Sequence, residues 1–136
     1  FAGEDAQAVP EVALLDKWAK QTDPSYTADS GDLVWGWSSA MLFVQALKAA
    51  GANPTRASLA TELQKITSFG ANGLLPPSNI ATNQASGCWL LAQMTNGKYE
   101  RAQPTPATGF ICQPAGLYQV PGTPTQTPRN SSSSGT

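Results

Sequence analysis

The stretch from Gly31 to Ala50 constrains this chain more than any other. Leu33, Val34, Trp37, Met41, Val44 and Leu47 recur there at helical spacing, and Ala40 and Phe43 widen the stripe. Upstream, Asp29-Ser30-Gly31-Asp32 offers several N-cap candidates. Downstream, Lys48 falls in the last turn and Gly51 suits the left-handed position just past it. The pattern predicts a largely buried helix over 31–50. A helix that is apolar on most sides needs neighbours, and this stripe asks for a sheet. If these residues stood alone, apolar surface would be left exposed.

The rest of the chain reads around that helix. Residues 1–9 look like a loop. Pro10 suits a first helical turn, where its missing N–H costs nothing. Val12, Leu15, Trp18 and Ala19 then form an apolar face, with Asp16, Lys17 and Lys20 opposite. This first helix should stop by Asp23-Pro24, because a residue before proline avoids the helical region. Thr55 caps a short third helix with Leu59, Leu63 and Ile66 facing inward. Residues 68–87 read as a long loop without regular structure, anchored by Leu74, Leu75 and Ile80. Cys88 to Met94 is an apolar run of strand length. Asn96-Gly97 is a two-residue hairpin turn, and Lys98 to Gln103 alternates as the second strand. The first strand is expected to be the more buried of the two. Phe110-Ile111-Cys112 is a short apolar patch placed to pack near the hairpin. Proline recurs beyond Pro104, and 113–136 reads as a Pro/Ser/Thr-rich disordered tail. The domain portion is thus 10–112.

Composition narrows the class. Only 12% of residues are charged, about half the usual fraction, and the net charge is -1. No basic face exists to neutralise phosphates, which argues against nucleic acid as a partner. No apolar run is long enough to span a bilayer. A surface poor in Lys and Glu but rich in Thr, Gln, Asn and Ser suggests a secreted protein. The chain starts with Phe1 and shows no leader pattern, so a processed or trimmed product of a longer chain is expected. Cys88 and Cys112 are the two cysteines. An even count in a secreted chain favours one disulfide, the alternative being two separate buried thiols. Closing that loop stabilises by roughly 3 kcal/mol in the chain-entropy model.

Catalytic groups are scarce. The chain has no His, which removes Ser-His and Cys-His pairs and the commonest general base. Two cysteines without His or a nearby acid cluster cannot form a zinc cage. No cofactor is implied. Of the nine acids, Glu4, Asp5, Glu11 and Asp16 read as loop or exposed helix positions, Asp29 and Asp32 as caps, Glu62 as helix surface and Glu100 as strand. No convergent pair of carboxylates emerges. Trp35 and Trp37 point about 200° apart on a helix. Trp37 then belongs to the core and Trp35 packs on a neighbouring element. The functional alternative places an aromatic from this helix start in the wall of a ligand pocket.

The order of elements resembles the C-terminal end of the type I periplasmic binding proteins, the leucine/isoleucine/valine-binding family. Val9 to Lys20 followed by Asp23-Pro24 is similar to the family's helix and Pro-containing loop. Leu33 to Ala40, continuing through Gln45-Ala46-Leu47-Lys48-Ala49-Ala50-Gly51, resembles its long helix. Thr55 to Ile66 looks like its short helix. Gly73-Leu74-Leu75-Pro76-Pro77 occupies a family glycine motif in which Pro-Pro replaces an aromatic-acid pair. Trp89 to Arg101 resembles the terminal strand pair. The resemblance covers about 9–104. It implies an α/β fold: the C-terminal part of a two-lobed unit, here three helices, a β-hairpin and an irregular tail. It implies a solute-binding component of an ABC importer, holding a branched-chain amino acid or similar small molecule between lobes that close by a hinge motion. It implies a membrane ABC permease as partner, a monomer when complete, no enzymatic activity, and an extracytoplasmic location with lipoprotein anchoring. Leu33, Trp35 and Trp37 match the segment that lends apolar wall residues in some members. Two other readings stay open. One is a small secreted interaction domain stapled by Cys88–Cys112, and the other, ranked last, is a hydrolase using acids.

Overall fold

A computed structural model of the chain describes residues 5–26, 31–83, 86–104 and 109–112. The expected tail at 113–136 and the cap candidates Asp29 and Ser30 lie outside the described residues.

Helix α1 spans Pro10–Thr22, with proline in its first turn and Val9 extended ahead of it. It ends where expected. Asp23 is extended, as proline favours in the residue before it, and its N–H still donates to the Ala19 carbonyl at 2.8 Å. Glu11, Val12 and Leu15 form its buried face. Trp18, expected on that face, is instead exposed, with the Lys17 ammonium 5.4 Å from its ring centroid.

Helix α2 spans Gly31–Ala50 and gives way to Gly51 at φ 84°. Its ends match the sequence reading, but its burial does not. Only Ser38 and Ala46 are buried along it, while Trp35, Phe43 and Val44 are exposed. The reason is supply. The described residues cover α2 on one flank and contain no parallel sheet to cover the other.

Helix α3 spans Arg56–Leu63. Thr55 starts it with a reciprocal cap: its Oγ1 accepts from the Ser58 N–H at 3.1 Å, and Ser58 Oγ accepts from the Thr55 N–H at 2.8 Å. Leu59 and Leu63 point inward with Ile66, as the spacing predicts. The core gathers there. Ala46 of α2, Ile66, Phe69 and Ala71 are buried together, and Met41, Leu42, Leu59, Leu63, Leu74, Leu75 and Ile80 pack on them. Each large side chain so buried is worth about 1.5–3 kcal/mol relative to exposure.

The 68–87 loop is more ordered than its composition suggests. Phe69 and Ser78 exchange backbone hydrogen bonds at 2.9 Å, pinching the loop at its base. The Ile66 carbonyl accepts from both Ile80 and Ala81. At the tip, Ala71, Asn72 and Gly73 all have positive φ, a left-handed turn closed by bonds back to Gly70 and Ala71.

The strand reading needs two corrections. The run from Cys88 breaks at Leu90 into β1 (Cys88–Trp89) and β2 (Leu91–Thr95). Strand β2 pairs antiparallel with β3 (Lys98–Gln103) across the Asn96-Gly97 turn, where both residues have positive φ. Strand β1 pairs instead with β4 (Ile111–Cys112). The first hairpin strand is also not the more buried. Residues of β2 are mostly exposed, whereas Glu100, Arg101 and Ala102 of β3 are half-buried. The apolar run in β2 simply lacks a surface to face. The disulfide Cys88–Cys112 is present, joining residues directly opposed in the β1–β4 pair.

Gly73 tests the loop tip. Its φ is 93°, and an added Cβ would sit 3.3 Å from Val9 Cγ1. Gly73→Ala should therefore lower stability by about 1–3 kcal/mol, read as a shift in the urea midpoint.

Candidate functional site

A carboxylate organises the region where α1, α2 and the loop tip meet. Glu11 lies in the first turn of α1 and is buried. Its Oε1 accepts from Trp37 Nε1 at 2.7 Å, and its Oε2 accepts from Asn72 Nδ2 at 2.9 Å. One side chain thus fastens α2 and the left-handed turn to α1. Asn72 reaches it because the backbone there is at φ 54°, ψ 34°, a region asparagine tolerates. The expectation that Glu11 is exposed is overturned.

A second acid is equally misplaced by a local reading. Asp5 is only 4% exposed. Arg101 Nη2 donates to both of its carboxylate oxygens, at 2.9 and 2.8 Å, and Arg101 Nη1 donates to the Gly109 carbonyl at 2.8 Å. Burial by itself would raise the Asp5 carboxyl. The hydrogen bonds and positive charge around it, Arg101 among them, outweigh that and hold it below its ordinary range.

These two anchors frame a cleft of about 370 Å³. Val9 ahead of α1 and Val12 and Leu15 on it form one side, and Val34 and Trp35 of α2 another. Leu74 and Leu75 come from the loop, Leu90, Ala92 and Tyr99 from the hairpin region, and Phe110 from the segment leading into β4. The Asp5–Arg101 pair supplies its charged edge. Apolar walls with a few fixed polar groups, at this volume, suit a small molecule.

The three wall candidates from the sequence do not converge. Trp35 lines the cleft and is 64% exposed. Leu33 and Trp37 lie on the other side of α2, in an open groove shared with Leu15, Trp18 and Tyr26. Two positions along a helix turn the side chain through about 200°, so a split was built in. Residues the sequence reading passed over complete the cleft: Asp5, Tyr99, Arg101 and Phe110. Alternation along Lys98–Gln103 puts Tyr99 and Arg101 on one face of the strand, but nothing local marks Asp5 as the partner of Arg101.

A family model described as periplasmic binding protein matches residues 5–98, more than two thirds of the chain. The chain belongs to the periplasmic binding protein family. Its α/β character, three helices with small antiparallel sheets, is consistent with a partial domain of the type I, branched-chain amino-acid-binding kind. Membership supports a solute-binding role and implies an extracytoplasmic location, in a family that is generally non-enzymatic. No curated protein and no solved structure matches the chain. Among the described residues no helix is long and apolar enough to cross a membrane, and no group of His, Cys, Asp and Glu is placed to hold a metal.

Two measurements check the anchors. Glu11→Ala strands the Trp37 and Asn72 donors and should cost about 2–3 kcal/mol in urea unfolding, with Glu11→Gln costing less. The Asp5 carboxyl has a depressed folded pKa, so its stabilisation is complete above the unfolded value of about 3.9 and is lost as pH falls through the lower folded value. The gap in urea midpoint between the native protein and Asp5→Asn should be widest at neutral pH and close progressively below about pH 4.

Proposed function

We propose that this chain is part of the solute-binding component of an ABC importer. The protein holds a branched-chain amino acid or a similar small molecule between two lobes and delivers it to a membrane permease. It acts as a monomer outside the cytoplasm, held at the surface by a lipid anchor. In this reading residues 10–112 are the portion of the binding domain, 1–9 lead into it and 113–136 form a tail. The observation that carries the reading is the apolar cleft, found in a chain that matches the family over 5–98. Trp35 is its aromatic wall, and an aliphatic side chain is the natural complement to Val12, Val34 and Leu74. Leu33 and Trp37 serve the site from behind: Trp37 sets the start of α2 against α1 through its bond to Glu11, and Leu33 lies in the groove beside it.

The disulfide supports a second reading, a stapled interaction domain with no ligand. One experiment separates the two. The natural protein that contains this chain is titrated with L-leucine, L-isoleucine and L-valine, followed by tryptophan fluorescence and calorimetry. Saturable binding, weakened about tenfold or more by Trp35→Ala, is the expected outcome, equivalent to at least about 1.4 kcal/mol. A cooperatively folded protein that binds none of the three and unfolds the same with or without them would favour the stapled domain.

A further inference from the structure

The segment 109–112 forms one wall of the cleft, yet among the described residues its hydrogen bonds are few. Phe110 lines the cavity. The β1–β4 ladder consists of two residue pairs, Cys88 with Cys112 and Trp89 with Ile111. Larger two-stranded ladders are already marginal in water. One bond reaches the segment from elsewhere, Arg101 Nη1 to the Gly109 carbonyl at 2.8 Å. The disulfide lies directly across the ladder, and its Cys112 end is exposed while Cys88 is half-buried.

We propose that the Cys88–Cys112 disulfide is a redox-sensitive latch on this wall, opened by a dithiol, and that opening weakens solute binding. The effect on solute rests on the function proposed above; the release of the wall does not. The chemistry is ordinary exchange. A thiolate of the dithiol attacks the sulfur of Cys112, the exposed residue of the pair. The S–S bond breaks, and the electron pair leaves on the Cys88 sulfur, which takes a proton. The second thiol of the reductant, as its thiolate, then attacks its own partner sulfur in the mixed disulfide. Cys112 leaves and is protonated in turn. The dithiol ends as a cyclic disulfide, two electrons poorer, and the protein gains two electrons and two protons. Among the described residues, the 109–112 segment then keeps its two-pair ladder and one side-chain bond. Phe110 departs from the cleft, while α1, α2 and the loop tip, fastened by Glu11, stay in place.

The decisive measurement is chymotryptic cleavage after Phe110 in the natural protein containing this chain, comparing the oxidised form with a Cys88→Ser/Cys112→Ser double variant. Cleavage there should be at least about ten times faster in the variant, with the helical circular dichroism unchanged. Equal rates would overturn the latch. Loss of helix together with the faster cut would also overturn it, making the bond a staple of the whole fold. Dithiothreitol-treated native protein, followed by amide exchange over 109–112 and returned to the protected state by reoxidation, guards against a misfolded variant. Exchange unaltered by reduction counts against the latch as firmly as equal cleavage. L-leucine affinity read on both forms separates the two proposals. A drop of about tenfold on opening supports control of binding, and unchanged affinity with a released wall sinks that control. L-leucine ignored by both forms retires the solute reading, while cleavage still decides the latch.

Discussion

Glu11 has two oxygens and uses both between elements. The Trp37 indole arrives from α2 and the Asn72 amide from the loop tip, while the carboxylate itself is carried by the first turn of α1. Helices α1 and α2 otherwise meet along an open groove, so the Trp37 bond sets their spacing while the Asn72 bond ties the loop tip to α1. A carboxylate suits the task because bonds to a charged acceptor are stronger than neutral ones. The arrangement explains why Asn72 adopts a left-handed backbone, and why Gly73 follows it. The turn brings an amide back to α1 within a few residues, and the left-handed backbone at Asn72 carries it there. The cleft inherits its shape from this junction, since Val12 lies next to Glu11 on α1 and Leu74 next to Gly73 on the loop.

The opposite side of the cleft is held by different means. Arg101 is shared between the Asp5 carboxylate and the Gly109 carbonyl, which links the start of the chain, the hairpin and the β4 segment at one guanidinium. Burying such a pair carries a desolvation cost, and the gain is in position more than in stability. Its charges largely cancel. The edge of the cleft is therefore polar without strongly favouring an anion or a cation, a suitable neighbour for apolar walls.

The elements were legible in the sequence because their signals are local. Pro10 and Asp23-Pro24 bound α1, Gly51 ends α2, Thr55 starts α3, and Asn96-Gly97 turns the hairpin. The packing was not, because burial depends on what lies opposite. The stripe on α2 predicts cover on most sides, and the described residues provide it on one. Phe69 was hidden in a loop rich in Gly, Pro and Asn, yet it joins the core because the Phe69–Ser78 bridge turns it inward. Of the three residues proposed for an apolar wall, Trp35 alone lines the cleft. Asp5 and Arg101 were not legible as a pair, since no spacing rule connects residues so far apart. The break at Leu90 was equally invisible, because an apolar run looks the same whether one partner strand serves all of it or two partners divide it.

That long separation has a consequence for how the chain is made. Asp5 and Arg101 stand 96 positions apart. During synthesis the Asp5 carboxylate leaves the ribosome well before Arg101 and stays hydrated until the second strand of the hairpin has followed it. The Glu11 junction closes sooner, since Asn72 lies only 61 positions downstream and Trp37 only 26. Assembly therefore has an order, helices and loop tip first and the ion-paired hairpin last. A nascent chain halted between those two points would already carry its helical half while the cleft still lacked a side.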